Sequence, residues 1–256
     1  MPHASHDIVK TLAPLIAEAD SVAVLTGAGM SAESGIPTFR GQHNSLWSQF
    51  DPQQLATADA WRADKALVWG WYRWRMAMVQ QAKPHAGHLA LAKLAVHTNI
   101  SLVTQNVDDL HERAGSRVSA HVHGSLSALR CFDCAQTYTA ALKPMKPQAA
   151  VLRLMPPTCL HCGGDIRPGV VWFGEALPEY AWARAEAAAD RCDLMLVIGT
   201  SGLVYPAAGL PAVAQQHGAK VVEINPDDTA LTPHVDMHWR TTAAEALPLL
   251  LKEMGG

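Results

Sequence analysis

Short apolar runs alternate with longer segments of helical period along most of this chain. VAVLT at 22–26, ISLVT at 100–104, LMLVI at 194–198 and VVEI at 221–224 are four or five residues long and largely apolar. That is the pattern of strands buried on both faces. Residues 5–19, 59–81, 84–97, 178–191, 206–217 and 242–253 repeat apolar positions every three or four residues and predict helices. A further strand is expected before His123, whereas 36–58, with Pro37, Gly41 and Pro52, reads as loop. Alternating β and α units imply a parallel sheet with helices on both faces, an α/β, Rossmann-like fold.

Two stretches interrupt the alternation. One is a helical segment rich in tryptophan (Trp61, Trp69, Trp71, Trp74). The other is 131–168, which holds four cysteines, five prolines and two adjacent glycines. The expected organisation is a large domain from 1–41, 84–130 and 169–256. A helical insertion, 42–83, and a metal-binding insertion, 131–168, form a smaller inserted domain beside it. A ligand then belongs at the carboxyl ends of the strands, between the two domains.

Composition narrows the classes. The chain has 256 residues, 49% apolar and 17% charged, with a net charge of −3, so it can build a large core. The charge argues against wholesale phosphate-backbone binding, and no nucleic-acid partner is expected. No apolar run approaches the length of a membrane span, so no membrane partner is expected either. The first 20 residues carry acids at helical period, unlike a targeting segment. Four of the five cysteines form two CxxC knuckles, Cys131/Cys134 and Cys159/Cys162. Four thiolates favour one tetrahedral, structural Zn2+ in a reducing compartment, with the cytoplasm as the default. A redox pair is the bland alternative. Cys192, before a buried strand, reads as a core hydrophobe.

The strand at 22–26 runs straight into GAGMSAESGIPTFRG, residues 27–41. Glycines after a strand let backbone approach a pyrophosphate, and a helix N-terminus holds its charge. Gly27 and Gly29 fit GxGxxG, but the sixth position is Ala32 and the next glycine is Gly35. The acid of an oxidoreductase fingerprint, about 20 residues on, is also missing. The chain is therefore expected to bind a dinucleotide in an unusual way.

This glycine-rich segment, TQNVDDLH at 104–111, HGS at 123–125, the two CxxC pairs, GVVWFGE at 169–175, GTS at 199–201 and INPD at 224–227 occur in one order. In that order the chain resembles the sirtuins, class III NAD-dependent protein lysine deacylases, over nearly its whole length. The resemblance implies NAD as co-substrate and acyl-lysine proteins or peptides as partners. It makes His123 the general base, with Asn106 and Asp108 holding the nicotinamide carboxamide and ribose. It assigns NAD contacts to Gly27, Ala28, Gly29, Ser31, Arg40, Gln105, Val107, Gly199, Thr200, Ser201, Asn225, Pro226, Asp227 and Ala243. Substrate contacts fall to Val171, Phe173 and Gly174, where an extended peptide would add to a strand. In the implied chemistry nicotinamide leaves, the acyl oxygen attacks the ribose carbon, and free lysine, nicotinamide and 2′-O-acyl-ADP-ribose result. His121, two residues earlier on the same strand, is the nearest decoy, and His85, His88 and His97 are expected to be structural or surface groups.

Tyr72 and Arg75, in WYRWR, stand at i and i+3 of the tryptophan-rich helix and share a face. A guanidinium pairs with a carboxylate and a phenol adds a hydrogen bond. The pair resembles the YxxR element of sirtuins that remove succinyl, malonyl or glutaryl groups, and Thr38, where many deacetylating members carry aspartate, points the same way. Acetyl removal is then the weaker activity. A mainly deacetylating enzyme, an ADP-ribosyltransferase, a nicotinamide oxidoreductase and a non-catalytic zinc-stabilised binding module are the competing readings.

Overall fold

The structure is a computed structural model that describes residues 2–37, 51–146 and 153–255. Arg40 and Thr38 lie outside the described residues. Among the described residues, no helix is long and apolar enough to cross a membrane.

Six strands form one wholly parallel sheet: β1 (Val22–Thr26), β2 (Ile100–Thr104), β3 (Val118–His121), β6 (Leu194–Ile198), β7 (Lys220–Ile224) and β8 (Met237–Trp239). Their spatial order is β3-β2-β1-β6-β7-β8. The chain winds one way from β1 through β2 to β3 and the other way through β6, so the order reverses between β1 and β6. That reversal opens a crevice at the carboxyl ends, the topological switch point of doubly wound sheets. Thr26 pairs in register with Thr104 on one side and Ile198 on the other, so three strand ends lie level.

Period-two alternation sorts the strand residues between two cores. Val22 and Val24, with Leu102, Leu196 and Val222, pack under α1 (Pro2–Glu18), α5 (Ala86–His97) and α9 (Ala243–Glu253). Ala23 and Leu25, with Val103, Val197 and Val221, pack under α7 (Glu179–Arg191) and α8 (Leu210–Gln216). All five residues of β1 and of β6 are buried, hence their unbroken apolar sequences.

A third core lies outside this sheet. It joins α4 (Ala58–Gln81) to the antiparallel pair β4 (Gly124–Cys131) and β5 (Ile166–Val170), and contains Trp61, Trp69, Trp71, Tyr72, Trp172, Cys131 and Cys159. Helix α4 kinks at Asp64, whose carboxylate accepts the Leu67 N–H at 3.1 Å and so caps the second half of the helix. Lys65 reaches Asp165 beside the second knuckle at 2.5 Å.

Several sequence expectations need correction. β4 and β8 were not expected; β4 alternates imperfectly, and β8 has only three residues. The short α3 (Pro52–Leu55) occupies part of the stretch expected to be loop. The helix expected over 206–217 begins as a 3₁₀ turn, Ala207–Gly209, and becomes α-helical at Leu210, just before Pro211. GVVWFGE is a strand only to Val170; beyond it Trp172 turns inward while Val171 and Phe173 face outward, and Phe173 makes a lone parallel bridge to Thr57. His121 ends β3, and its ring turns to Glu112, 2.6 Å away, rather than sharing the orientation of His123.

Candidate active site

A cavity of about 700 Å³ opens at the switch point between the parallel sheet and the third core. Its volume lies within the roughly 300–1,000 Å³ of small-molecule sites. Four sheet loops line it: Gly27, Ala28, Gly29 and Ser31 after β1; Gln105, Asn106, Val107 and Asp108 after β2; Gly199, Thr200 and Ser201 after β6; Asn225, Pro226 and Asp227 after β7. Ala243, at the start of α9, closes one side. Tyr72 and Arg75 enter from α4, and His123, Val171, Phe173 and Gly174 from the segments flanking β4 and β5. Loops far apart in sequence thus share one wall.

Glycine is needed after β1 for a reason the sequence pattern did not disclose. A Cβ on Gly27 or Gly29 would lie 2.8 or 2.7 Å from backbone atoms of Gly199. The β1 and β6 loops therefore press backbone to backbone. The Gly27 and Gly29 N–H groups donate to Ile198 and Gly199 carbonyls at 2.9 and 2.8 Å. The helix that follows, α2 (Gly29–Ala32), is a single turn, so its dipole contributes less than the glycine motif suggests.

A hydrogen-bond chain braces the floor. Asn106 Nδ2 donates to Ser31 Oγ at 3.1 Å, which donates to Asp108 Oδ2 at 3.0 Å. Asp108, which lines the cavity, also accepts the Leu110 N–H through Oδ1 at 3.1 Å, the first N–H of α6 (Leu110–Arg113). Burial raises the Asp108 carboxyl pKa, opposed by the Leu110 and Ser31 hydrogen bonds. Gln105 Nε2 donates to Thr200 Oγ1, and Asn225 Nδ2 to the Thr200 carbonyl, both at 3.0 Å, tying three loops together.

His123 sits in the turn between β3 and β4. Its Nδ1 lies 3.2 Å from the Gln105 carbonyl, which places the proton on Nδ1 and leaves Nε2 as the basic nitrogen. Burial lowers its pKa below 6.5. His121 is also penalised by burial, but its hydrogen bond to Glu112 and that carboxylate's charge raise its pKa. One is a base beside the cavity whose pKa burial lowers; the other is tethered to Glu112 away from it.

Leu203 and Tyr205 on the rim, both exposed, and Glu33, which accepts the Ala244 N–H at 3.2 Å, also line the cavity. No motif marked Leu203 and Tyr205, which owe their positions to a loop path; Glu33 lies inside the glycine-rich segment but at a position given no ligand contact. Trp172 lines it too, and its indole N–H donates to the Tyr72 hydroxyl at 2.8 Å. On α4, Arg73 points elsewhere, to the Lys143 carbonyl at 2.5 Å.

The sulfurs of Cys131, Cys134, Cys159 and Cys162 all lie within 4.8 Å of one another, with Cys131–Cys162 at 3.5 Å and Cys134–Cys159 at 3.8 Å. A tetrahedral zinc with Zn–S bonds of about 2.3 Å needs sulfurs about 3.8 Å apart. The four cysteines are positioned to bind a structural zinc, with no position left for a reacting water.

A parallel sheet with a ligand crevice at its switch point defines the class, and the comparisons define the family. A description of the Sir2 family matches residues 27–206. An NAD-dependent protein deacylase from Mycolicibacterium paratuberculosis is 52% identical over 91% of this chain and 97% of its own length. NAD-dependent protein deacylase 1 from Pseudomonas aeruginosa is 51% identical over 95% of this chain and 98% of its own. Among solved structures, a Sir2 homolog–NAD complex superposes with TM-score 0.87 at 45% identity, covering 96% of this chain and 93% of the other. A mutant Sir2 homologue in complex with 2′-O-acetyl ADP ribose also gives TM-score 0.87, at 43% identity and 96% coverage of both chains. This chain belongs to the Sir2 family.

Two outcomes follow from this geometry. Cys159→Ser lowers the melting temperature and removes zinc, which elemental analysis of the wild type measures at one per chain. Acid weakens the fold in a defined window: burial pushes the His88 pKa down to about 3 and that of His111 to about 4, against 6.5 unfolded. Below pH 6.5 the unfolded chain therefore binds more protons, and stability falls with pH, approaching about 2.7 kcal/mol per unit for two protons. His123, also shifted down by burial, steepens the fall, whereas His121, shifted upward, offsets part of it near pH 6.5. Urea titrations from pH 7 to 5 measure the slope.

Proposed function

We propose that this chain is an NAD-dependent protein lysine deacylase that prefers acyl groups ending in a carboxylate, such as succinyl or malonyl, over acetyl. The observation that carries this reading is the meeting of His123, Asn106 and Asp108 with Tyr72 and Arg75 on one cavity. In this reading 1–41, 84–130 and 169–256 form the NAD domain, and 42–83 with 131–168 form the smaller domain. The kinship to enzymes named NAD-dependent protein deacylase supports the activity, and four cysteines placed to bind zinc rather than to form disulfides suit a reducing, cytoplasmic setting.

NAD supplies an electrophilic ribose carbon as nicotinamide leaves. The loops after β1, β6 and β7 hold its adenosine and phosphate portions; Asn106 and Asp108, braced through Ser31, hold the nicotinamide end in one orientation. The acyl oxygen bonds that ribose carbon; His123 Nε2, neutral at physiological pH, takes the 2′-hydroxyl proton so that this oxygen attacks the acyl carbon, and the lysine amine leaves as water adds, giving 2′-O-acyl-ADP-ribose. Phe173, Leu203 and Tyr205 at the rim offer apolar surface to an extended peptide, and Val171 with Gly174 supplies backbone for strand addition. Arg75 and Tyr72 receive the distal carboxylate. Burial lowers the Arg75 pKa, opposed by Tyr72 and Asp108, yet a guanidinium stays charged. Burial pushes the Tyr72 phenol up to about 12, so it remains a donor. Acetyl carries no distal carboxylate for Arg75 and Tyr72 to bind, so it gains nothing from them and is disfavoured relative to succinyl.

Mass spectrometry of one lysine peptide bearing succinyl or acetyl, with and without NAD, tests the reading: succinyl is lost faster, and only with NAD. Faster acetyl loss returns Tyr72 and Arg75 to a packing role. Nicotinamide release without acyl loss points to ADP-ribosyl transfer. Arg75→Met lowers the succinyl-to-acetyl ratio of kcat/KM by about 100-fold, as loss of a charged hydrogen-bonding partner does; equal losses on both substrates contradict the assignment. His123→Ala cuts turnover by about 100-fold or more while calorimetry still detects NAD binding.

A further inference from the structure

The Tyr72 hydroxyl is not independent of its surroundings. Tyr72 and Trp172 are each 1% exposed, and the indole N–H donates to the phenol oxygen at 2.8 Å. An indole nitrogen can only donate, whereas a phenol has one proton and an acceptor side. With its acceptor side occupied by Trp172, the Tyr72 hydroxyl turns its own proton away from the indole.

The indole itself cannot swing aside. Its backbone N–H donates to Glu175 Oε2 at 2.8 Å, and the Arg167 guanidinium lies 3.2 Å from its ring centroid. Arg167 is buried, donates to the Val170 carbonyl at 2.8 Å, and forms a two-pronged pair with Glu175. Trp61 and Phe132 flank the ring, with centroids 5.6 and 6.1 Å away. A cation on the ring face also withdraws electron density from the indole and strengthens its N–H as a donor. The chain Glu175–Arg167–Trp172–Tyr72 therefore ends on a tyrosine that lines the cavity, with each member held by the last.

We propose that Trp172 is a positioning residue for acyl selectivity: its indole N–H orients the Tyr72 hydroxyl so that this hydroxyl donates to the distal carboxylate of the acyl group. The inference rests on the acyl reading above and adds to it the residue that presets the donor. Phenylalanine at 172 would fill most of the same volume without a donor, leaving the Tyr72 hydroxyl free to rotate. A preset donor binds without first losing rotational freedom. An acetyl group has no acceptor to meet it, so the effect is confined to acidic acyl groups.

The test is a double-mutant cycle read as the succinyl-to-acetyl ratio of kcat/KM at saturating NAD, in wild type, Trp172→Phe, Tyr72→Phe and the double variant. Trp172→Phe is expected to lower the ratio about tenfold, and to change it by less than about twofold in the Tyr72→Phe background, because Trp172 acts only through Tyr72. A purely structural role lowers both activities and leaves the ratio where it was. If Trp172→Phe does not fold, site-specific incorporation of β-(3-benzothienyl)alanine at 172 keeps the ring shape and replaces N–H by sulfur, and the same tenfold fall is expected. A wild-type preference for succinyl with an unchanged ratio in the 172 variants, or additive losses in the double variant, overturns this inference alone. A wild-type preference for acetyl overturns the acyl reading and this inference together.

Discussion

The contact on which the site depends is the backbone packing of the β1 loop against the β6 loop. Gly27, Gly29 and Gly199 approach so closely that no side chain fits among them. Level strand ends bring these loops together, since Thr26 is in register with both Thr104 and Ile198. A Cβ there would push the loops apart and widen the crevice at the point where the sheet reverses direction. The fold and the cavity are thus one constraint seen from two sides. Apolar strands buried on both faces set the sheet, and the sheet sets where the loops emerge.

From that contact the polar groups follow by direct hydrogen bonding. Gln105 and Asn225 both bond Thr200, so the loops after β2, β6 and β7 are tied to one another. Ser31 bridges Asn106 to Asp108. Buried polar groups of this kind are costly unless satisfied, and satisfying one another makes them rigid. Preorganisation of this sort lowers the cost of orienting a reacting carbon. His123 is set differently: a turn between two sheets places it, the Gln105 carbonyl assigns its proton, and burial keeps it neutral.

The opposite wall belongs to the third core, where aromatic side chains do the work that strand pairing does elsewhere. Trp61, Trp69, Trp71, Tyr72 and Trp172 fill the space between α4 and the antiparallel pair. The zinc-fitting cysteines close its far end, two of them within that core. Tyr72 and Arg75 are consequently carried on a helix anchored by large, fully buried rings, a firmer mount than a surface loop.

The elements of the parallel sheet were legible because their signal is local. A short run of buried apolar residues bounded by turn residues reads as a central strand, and β1 and β6 carry that signal at full strength. Two CxxC knuckles are likewise local, since thiolates at that spacing have few other uses. The motif residues after the strands were legible as a set, because strand ends in a doubly wound sheet all face one crevice. Short or irregular elements were not: three-residue β8 is too brief to show a period, and a bulge breaks the alternation of β4. Tertiary structure alone decided that His121 turns to Glu112 while His123 faces the cavity, because the strand ends between them. It also decided that Trp172 bonds a tyrosine a hundred residues earlier in the chain. Local periodicity encodes which face of an element is buried, whereas a side chain's hydrogen-bond partner depends on where two unrelated segments meet.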